Sequence, residues 1–191
     1  MPVLETARLV IRELQPGDHD ACQALFRAIG WFNPTLPETE VIERRRSWFE
    51  WAVVNARELA RLYQPPLGDR AIIERATGAF VGLVGYVPAL EPFDQLPSFG
   101  GVEHARNTFE VGLFWAVVPE HQRRGIASEA ARAMVKNAFD RLRLRRIVAT
   151  TENANVASAA VMRRIGMNIE RNPFAEPPHF QTVGRIDIAS P

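Results

Sequence analysis

The order of its segments predicts a mixed α/β or α+β fold for this chain, a central sheet with helices on its faces. Three observations carry that expectation. Thr108 to Val118 alternates as a strand does: Phe109, Val111, Leu113, Trp115 and Val117 fall on one side, Glu110, Gly112, Phe114 and Ala116 on the other. Apolar residues from Ile126 to Leu142 (Ala127, Ala130, Ala131, Met134, Val135, Ala138 and Phe139 between them) recur at helical spacing in one stripe. Around these two lie a strand and two helices before, and a strand, a helix and closing strands after.

Leu9 to Leu14 reads as the first strand, with Leu9 and Ile11 on one face and Val10 and Arg12 on the other. Pro16-Gly17-Asp18 is turn chemistry and opens a helix to about Ile29, where Gly30 suits the cap. Thr35 and Glu38 have capping-box spacing and Pro37 suits an early helical position, so a second helix is expected from Thr35 to Tyr63, stopped by Pro65-Pro66. Its Arg44-Arg45-Arg46 run reads as a solvated face, and Trp48 and Trp51, three apart, as a shared core face. Arg70 to Arg75 and Phe80 to Val87 read as a hairpin around Ala76-Thr77-Gly78. Pro88 to Asn107 lacks periodicity; so long a stretch is either a functional loop, such as a flap over the substrate, or a tolerated surface insertion. Arg146 to Thr150 is the next strand, Asn155 to Ile165 a short helix capped by Gly166, and Thr182 to Ile188 the clearer of one or two closing strands.

Composition bounds the function. The 191 residues fit one domain, 1–191, able to bury about 70% of its unfolded surface. A net charge of +1 gives no electrostatic footprint for nucleic acid. Cys22 is the only cysteine, which excludes an intrachain disulfide and fits a reducing compartment. The N-terminus lacks a signal-peptide pattern and no apolar run reaches membrane-spanning length, so a soluble, cytoplasmic protein is expected, with no membrane partner. His19, His104 and His179 are scattered without metal-ligand spacing, and no metal is expected.

The chemistry concentrates after the Thr108 to Val118 strand, in Gln122-Arg123-Arg124-Gly125-Ile126-Ala127 at the start of the striped helix. Free backbone N–H groups and the helix dipole make such a junction an anion site, Gly125 lets the backbone approach, and Ala127 is small enough not to block it. It is neither a Walker loop nor the three-glycine dinucleotide fingerprint. On mechanism alone, a phosphate site and a plain helix start with solvated arginines both remain open.

Gln122 to Ala127 resembles the Q/R-x-x-G-x-G/A pyrophosphate signature of the GNAT acetyltransferases, with Ala127 at the commoner second glycine. Leu4-Glu5-Thr6-Ala7-Arg8-Leu9-Val10-Ile11-Arg12 is similar to the opening L-x-T-x-R-L-x-L-R of the RimJ/RimL-type branch, which acetylates ribosomal-protein N-termini. Glu110-Val111-Gly112-Leu113 resembles the strand that precedes the pyrophosphate loop, and Ser128-Glu129-Ala130, Asn155-Val156-Ala157-Ser158 and Ile165-Gly166-Met167 resemble that branch in the same order. The resemblance implies a mostly antiparallel sheet splayed at an acetyl-CoA site. It would place the pyrophosphate on the amides of Arg124 to Ser128, with Gln122 and Arg123 beside them, and the pantetheine arm along the splayed edge of the Thr108 to Val118 strand, at Val117 among others. Asn155 would bond the pantetheine or its neighbouring backbone, and Ser158 would lie near the thioester sulfur.

An attacking amine must be neutral, yet an alkylamine is mostly protonated at pH 7. Glu110 is the candidate base, directly or through water; its alternative is an ordinary salt bridge. Ser158 is the candidate donor to the leaving thiolate, its alternative a helix-terminal backbone bond. A backbone N–H between Phe114 and Val117 would hold the carbonyl oxygen. His121 reads as a surface loop residue and Cys22 as a small buried hydrophobe, which favours direct transfer in a ternary complex. The expected partners are acetyl-CoA and an amine acceptor, a peptide N-terminus first and a small molecule second, with the protein a monomer or homodimer. Glu91, Asp94 and Glu103 would suit a cationic acceptor. A non-catalytic acyl-CoA-binding module is the reading from another class.

Overall fold

In the computed structural model, which describes residues 1–31 and 35–188, the chain divides into two units: Met1–Tyr86 with Phe114–Ala133, and Val87–Leu113 with the chain from Met134 onward. The mixed α/β class is as expected, with a mostly antiparallel sheet and, among the described residues, four α-helices. Strands β4 (Phe80–Glu91) and β5 (Thr108–Val117) and helix α3 (Ile126–Asp140) pass from one unit into the other along the chain.

In the first unit β1 (Leu4–Glu5), β2 (Leu9–Glu13), β3 (Gly68–Glu74) and the first half of β4 pair antiparallel in turn. The short β1 was not legible, since two residues show no period. In β2, Leu9 and Ile11 are fully buried as the alternation predicts. The β3–β4 hairpin turns at Gly78, whose φ of 71° is a backbone shape that favours glycine. Helices α1 (His19–Ala28) and α2 (Glu38–Arg61) bury Cys22, Leu25, Phe26, Phe49 and Ala52 against Ala71, Leu83 and Ala116.

Helix α2 starts two residues later than the capping-box spacing suggests, with Pro37 in place of Thr35 as its N-cap, at ψ 144°. A residue before proline is pushed out of helical conformation, which bars Leu36 from the first turn. The two tryptophans also part company: Trp48 packs on the core, while Trp51 is 57% exposed. The packed positions are Trp48, Phe49, Ala52 and Val53, and Trp51 falls at the edge of that stripe. Arg44 and Arg46 pair with Glu40 and Glu50 one turn away, the solvated face expected of them.

In the second unit β5 and β6 (Arg146–Thr151) are parallel, registering Gly112 with Val148. β8 (Thr182–Asp187) pairs antiparallel with β6 and with β7 (Asn168–Arg171). Helix α4 (Val156–Arg164) ends before Gly166, whose φ is 88°.

The Pro88 to Asn107 segment is neither a bare loop nor a simple insertion. Its first residues continue β4 to Glu91, and single helical turns follow at Phe93–Gln95 and Pro97–Phe99. Phe93 and Leu96 are 1% exposed and share a core with Phe180 and Val183. Arg146 and Arg185 lie over the ring of Phe99 at 4.9 and 5.1 Å. Single turns are too short to show a hydrophobic period, so the sequence hid them. Strand β5 also departs from strict alternation: Gly112 and Leu113 are both buried, as are Ala116 and Val117. A strand covered on both faces has no wet side to alternate with.

Candidate active site

Strand β5 ends at Val117, and the chain makes one turn, Pro119–His121, before α3 begins at Ile126. Gln122 Nε2 donates to the carbonyl of Val117 at 3.0 Å, tying the loop to the strand end. Arg123 and Gly125 both adopt positive φ, 59° and 81°. A Cβ placed on Gly125 meets only Arg8 Nη2, at 3.5 Å, so the space beside this backbone is open. The first amides of a helix have no partner within it and carry the positive end of its dipole.

Ser128, in that first turn, is 3% exposed and its Oγ has no hydrogen-bond partner. Leaving a buried hydroxyl unmatched costs about 1–3 kcal/mol. Ile126 is 3% exposed, which leaves the small Ala127 and Gly125 as the accessible apolar positions of the turn. Arg123 is exposed. Arg124 reaches Glu74 at 3.6 Å and His121 Nδ1 at 3.1 Å; a guanidinium only donates, so this ring nitrogen is the acceptor.

The same turn is fastened to the N-terminal strands. Glu129 Oε1 accepts from Thr6 Oγ1 at 2.6 Å and from the Arg8 amide at 3.0 Å. Its Oε2 accepts from Arg8 Nε at 2.7 Å and meets Nη2 at 2.6 Å. Arg8 Nη1 donates to the carbonyl of Arg124 at 3.0 Å. Burial pushes the Glu129 carboxyl up, but the bonds from Thr6 and Arg8 outweigh it and hold the group below its usual range. Two stretches that each resemble the acetyltransferase branch therefore meet through three side chains, none of which was singled out for a role.

The other expected site residues lie in the second unit. Glu110 Oε1 accepts from Arg146 Nη1 at 3.0 Å, and Arg146 Nε donates to Asp187 at 2.7 Å, so the salt bridge named as the alternative is formed. Glu110 and Arg146 line a cleft of about 320 Å³ with Phe109, Val111, Leu144 and Arg145. Asn155 is the N-cap of α4 and accepts from the Ser158 amide at 3.0 Å, the backbone bond expected as one of its two options. Ser158 is half-buried. Thus Val117 is joined to Gln122 and Asn155 to Ser158, while Glu110 is joined to Arg146.

Of the acidic residues expected to meet a cation, Glu91 bonds His179 at 3.0 Å. One carboxylate was overlooked. Asp69 follows Gly68 at the start of β3, with Oδ1 buried and unpartnered, and a Cβ on Gly85 would come within 2.9 Å of it. Burial pushes its pKa up to about 6. A Gly-Asp pair reads as turn chemistry in sequence, and no period marks what later covers it. Cys22 is buried; desolvation first, then the charges of Asp18 and Asp69, push its thiol up to about 12, so it is no thiolate nucleophile. Among the described residues no group of three His, Cys, Asp or Glu side chains is placed to hold a metal, and no helix is long and apolar enough to cross a membrane.

Comparison with known proteins adds four findings. The model of the acetyltransferase (GNAT) domain family matches residues 8–168. An uncharacterized N-acetyltransferase of Bacillus subtilis (strain 168), YoaA, is 30% identical over 170 residues, covering 88% of this chain and 84% of its own. The crystal structure of an acetyltransferase from Agrobacterium tumefaciens str. C58 superposes with a TM-score of 0.68 at 25% identity, over 97% of this chain and 94% of that one. RimL, a ribosomal L7/L12 alpha-N-protein acetyltransferase solved with coenzyme A, shares the fold at a TM-score of 0.61 and 17% identity, with 96% of each chain covered.

Proposed function

This chain belongs to the GNAT acetyltransferases and is an acetyl-CoA-dependent N-acetyltransferase, and from that premise we propose that it acetylates the N-terminal amine of a protein or peptide by direct attack in a ternary complex. The observation that carries the site is the turn after β5: a helix start at Ile126 preceded by Gly125 at φ 81°, with open space beside it. Acetyl-CoA supplies an activated acetyl group, and the residues of this chain bind and orient it. In this reading the amides of Arg124 to Ser128 hold the pyrophosphate. Gln122 acts from behind, fixing the loop on Val117, and Arg123 and Arg124 add positive charge. Residues 1–191 act as a single domain of this family, in the cytoplasm, as a monomer or homodimer.

The peptide acceptor is supported by the opening L-x-T-x-R-L-x-L-R pattern from Leu4 to Arg12. The rivals are a small-molecule amine (an amino acid, polyamine or antibiotic) and a non-catalytic acyl-CoA-binding module. Thiol release from acetyl-CoA against N-terminal peptides, polyamines, amino acids and aminoglycosides separates them. Release that requires a peptide supports the proposal. Release with a small amine alone moves the acceptor class, and tight CoA binding without release by any acceptor favours the module.

For the proton, Glu110 is the proposed base and Ser158 the proposed donor to the leaving thiolate. Asn155 bonds the Ser158 amide and so fixes the turn that carries this hydroxyl. General acid–base groups contribute about 10²–10⁴-fold, so Glu110→Gln is expected to lower kcat into that range while leaving CoA affinity unchanged. Asp69 is the second candidate base, because burial pushes its pKa up to about 6, near working pH, and its Oδ1 has no hydrogen-bond partner. If Glu110→Gln keeps the wild-type rate while Asp69→Asn removes the acid limb of the pH–rate profile near pH 6, the base is Asp69.

A further inference from the structure

We infer that Thr6 and Arg8 are positioning residues for acetyl-CoA: they neutralise and fix Glu129 so that the first turn of α3 can accept a pyrophosphate. The inference rests on the pyrophosphate reading given above. Glu129 follows Ser128 directly, so a carboxylate stands in the turn that offers its amides to an anion. An acidic residue at a helix start is ordinarily favourable, because it meets the same positive end of the dipole that an anionic ligand needs. Left unpaired, Glu129 would both compete for that field and repel the ligand.

The structure answers this on both carboxylate oxygens. Oε1 takes the Thr6 hydroxyl and the Arg8 amide, and Oε2 takes the Arg8 guanidinium through Nε and Nη2. The fork geometry of arginine suits a carboxylate in a way a lysine ammonium does not. The third arm of the same guanidinium, Nη1, holds the carbonyl of Arg124, so one side chain fastens the chain on both sides of Gly125. The clamp itself is anchored. Thr6 Oγ1 accepts from the Leu9 amide at 2.9 Å and the Thr6 amide donates to the Leu9 carbonyl at 2.9 Å, closing the turn between β1 and β2. With Glu129 neutralised by Arg8, and Arg124 paired with Glu74 at 3.6 Å, the amides and Arg123 remain as the net field at the turn.

Calorimetric titration of CoA into the full chain and its variants tests this, with thermal unfolding alongside. Arg8→Ala is expected to weaken CoA binding about tenfold at low salt, the effect of one bare charge a few ångströms from the site at a partly exposed dielectric. Adding Glu129→Gln to Arg8→Ala is expected to recover most of that loss although it removes a further partner from the clamp. Glu129→Gln alone is expected to bind CoA within about twofold of wild type or tighter. A purely structural staple predicts the opposite, a double variant no better than Arg8→Ala and a weakened Glu129→Gln, and that result overturns the inference. If Arg8→Ala does not fold, Glu129→Gln decides alone: wild-type or tighter affinity supports charge compensation, and weaker affinity overturns it. CoA that fails to bind the wild type removes the pyrophosphate reading and this inference together, whereas CoA binding with no rescue removes the inference only.

Discussion

Gly125→Glu is expected to abolish measurable CoA binding, a loss of about 100-fold or more, while the protein still folds. The two halves of that expectation have separate causes. A Cβ at this position meets only the end of the Arg8 side chain, at 3.5 Å, so sterics within the protein cost little. The φ of 81° strains any residue with a side chain, by about 1–2 kcal/mol, which lowers Tm by a few degrees. Binding suffers much more. The new carboxylate fills the approach that glycine keeps open and stands where the ligand's charge must go, and it caps the amides that the pyrophosphate needs. Losing 100-fold is about 2.7 kcal/mol, within the reach of one like charge at close range in a partly buried site. Gly125→Ala separates backbone strain from charge, with a loss near tenfold or less. Titration calorimetry reads both, and unchanged CoA affinity in Gly125→Glu would move the pyrophosphate away from this turn.

Asp69→Asn is expected to stabilise the protein at neutral pH, by at most about 3 kcal/mol, and to leave it unchanged near pH 4 apart from local bonding. The sign follows from the direction of the shift. Burial raises the Asp69 carboxyl from 3.8 in an ordinary environment to about 6 in the fold. Between those values the folded chain holds a proton that the unfolded chain has released, so stability falls as pH rises through that window. Above about pH 7 the full cost of an ionised carboxylate with one oxygen, Oδ1, buried and unpartnered is present, and an amide of the same shape lowers it. Two neighbours do not confuse the readout. The Cys22 thiol, pushed up to about 12, stays protonated throughout. For Asp18, burial pushes the carboxyl up, but the bonds from Arg12 and the Gln15 amide outweigh it, and it titrates below the window. Urea unfolding of both proteins at pH 4, 5, 6 and 8 should show a stability gap that opens with pH. A gap that is flat in pH would mean that Asp69 titrates near its ordinary value in the fold. A carboxylate kept at such a cost is also the reason it stands as a candidate base beside Glu110.

Much of the fold was legible because it is local. The β2 alternation, the α3 stripe, the Gly78 turn and the Gly166 cap each depend on residues within one strand or one turn, where side-chain period and backbone preference speak directly. Where the reading slipped, a non-local or sub-periodic effect was in charge. The start of α2 was displaced by the proline rule at Leu36, the burial of β5 by cover on both faces, and the Phe93 and Leu96 turns by being too short for any period.

The site divides in the same way. The sequence by itself pointed to the family, through the spacing of Gln122, Gly125 and Ala127 after a strand, and it singled out the helix start proposed here for the pyrophosphate. It also held Thr6, Arg8 and Glu129 as separate pieces of pattern, but their meeting spans 121 to 123 residues of chain. Only the tertiary structure decided that Glu110 is bound by Arg146, 36 residues on, that Ser128 is buried with a hydroxyl unmatched, and that Asp69 loses its water. Charge pairing and desolvation depend on what surrounds a group in space, and a residue's neighbours in space are set by the packing of distant segments, which no local spacing records.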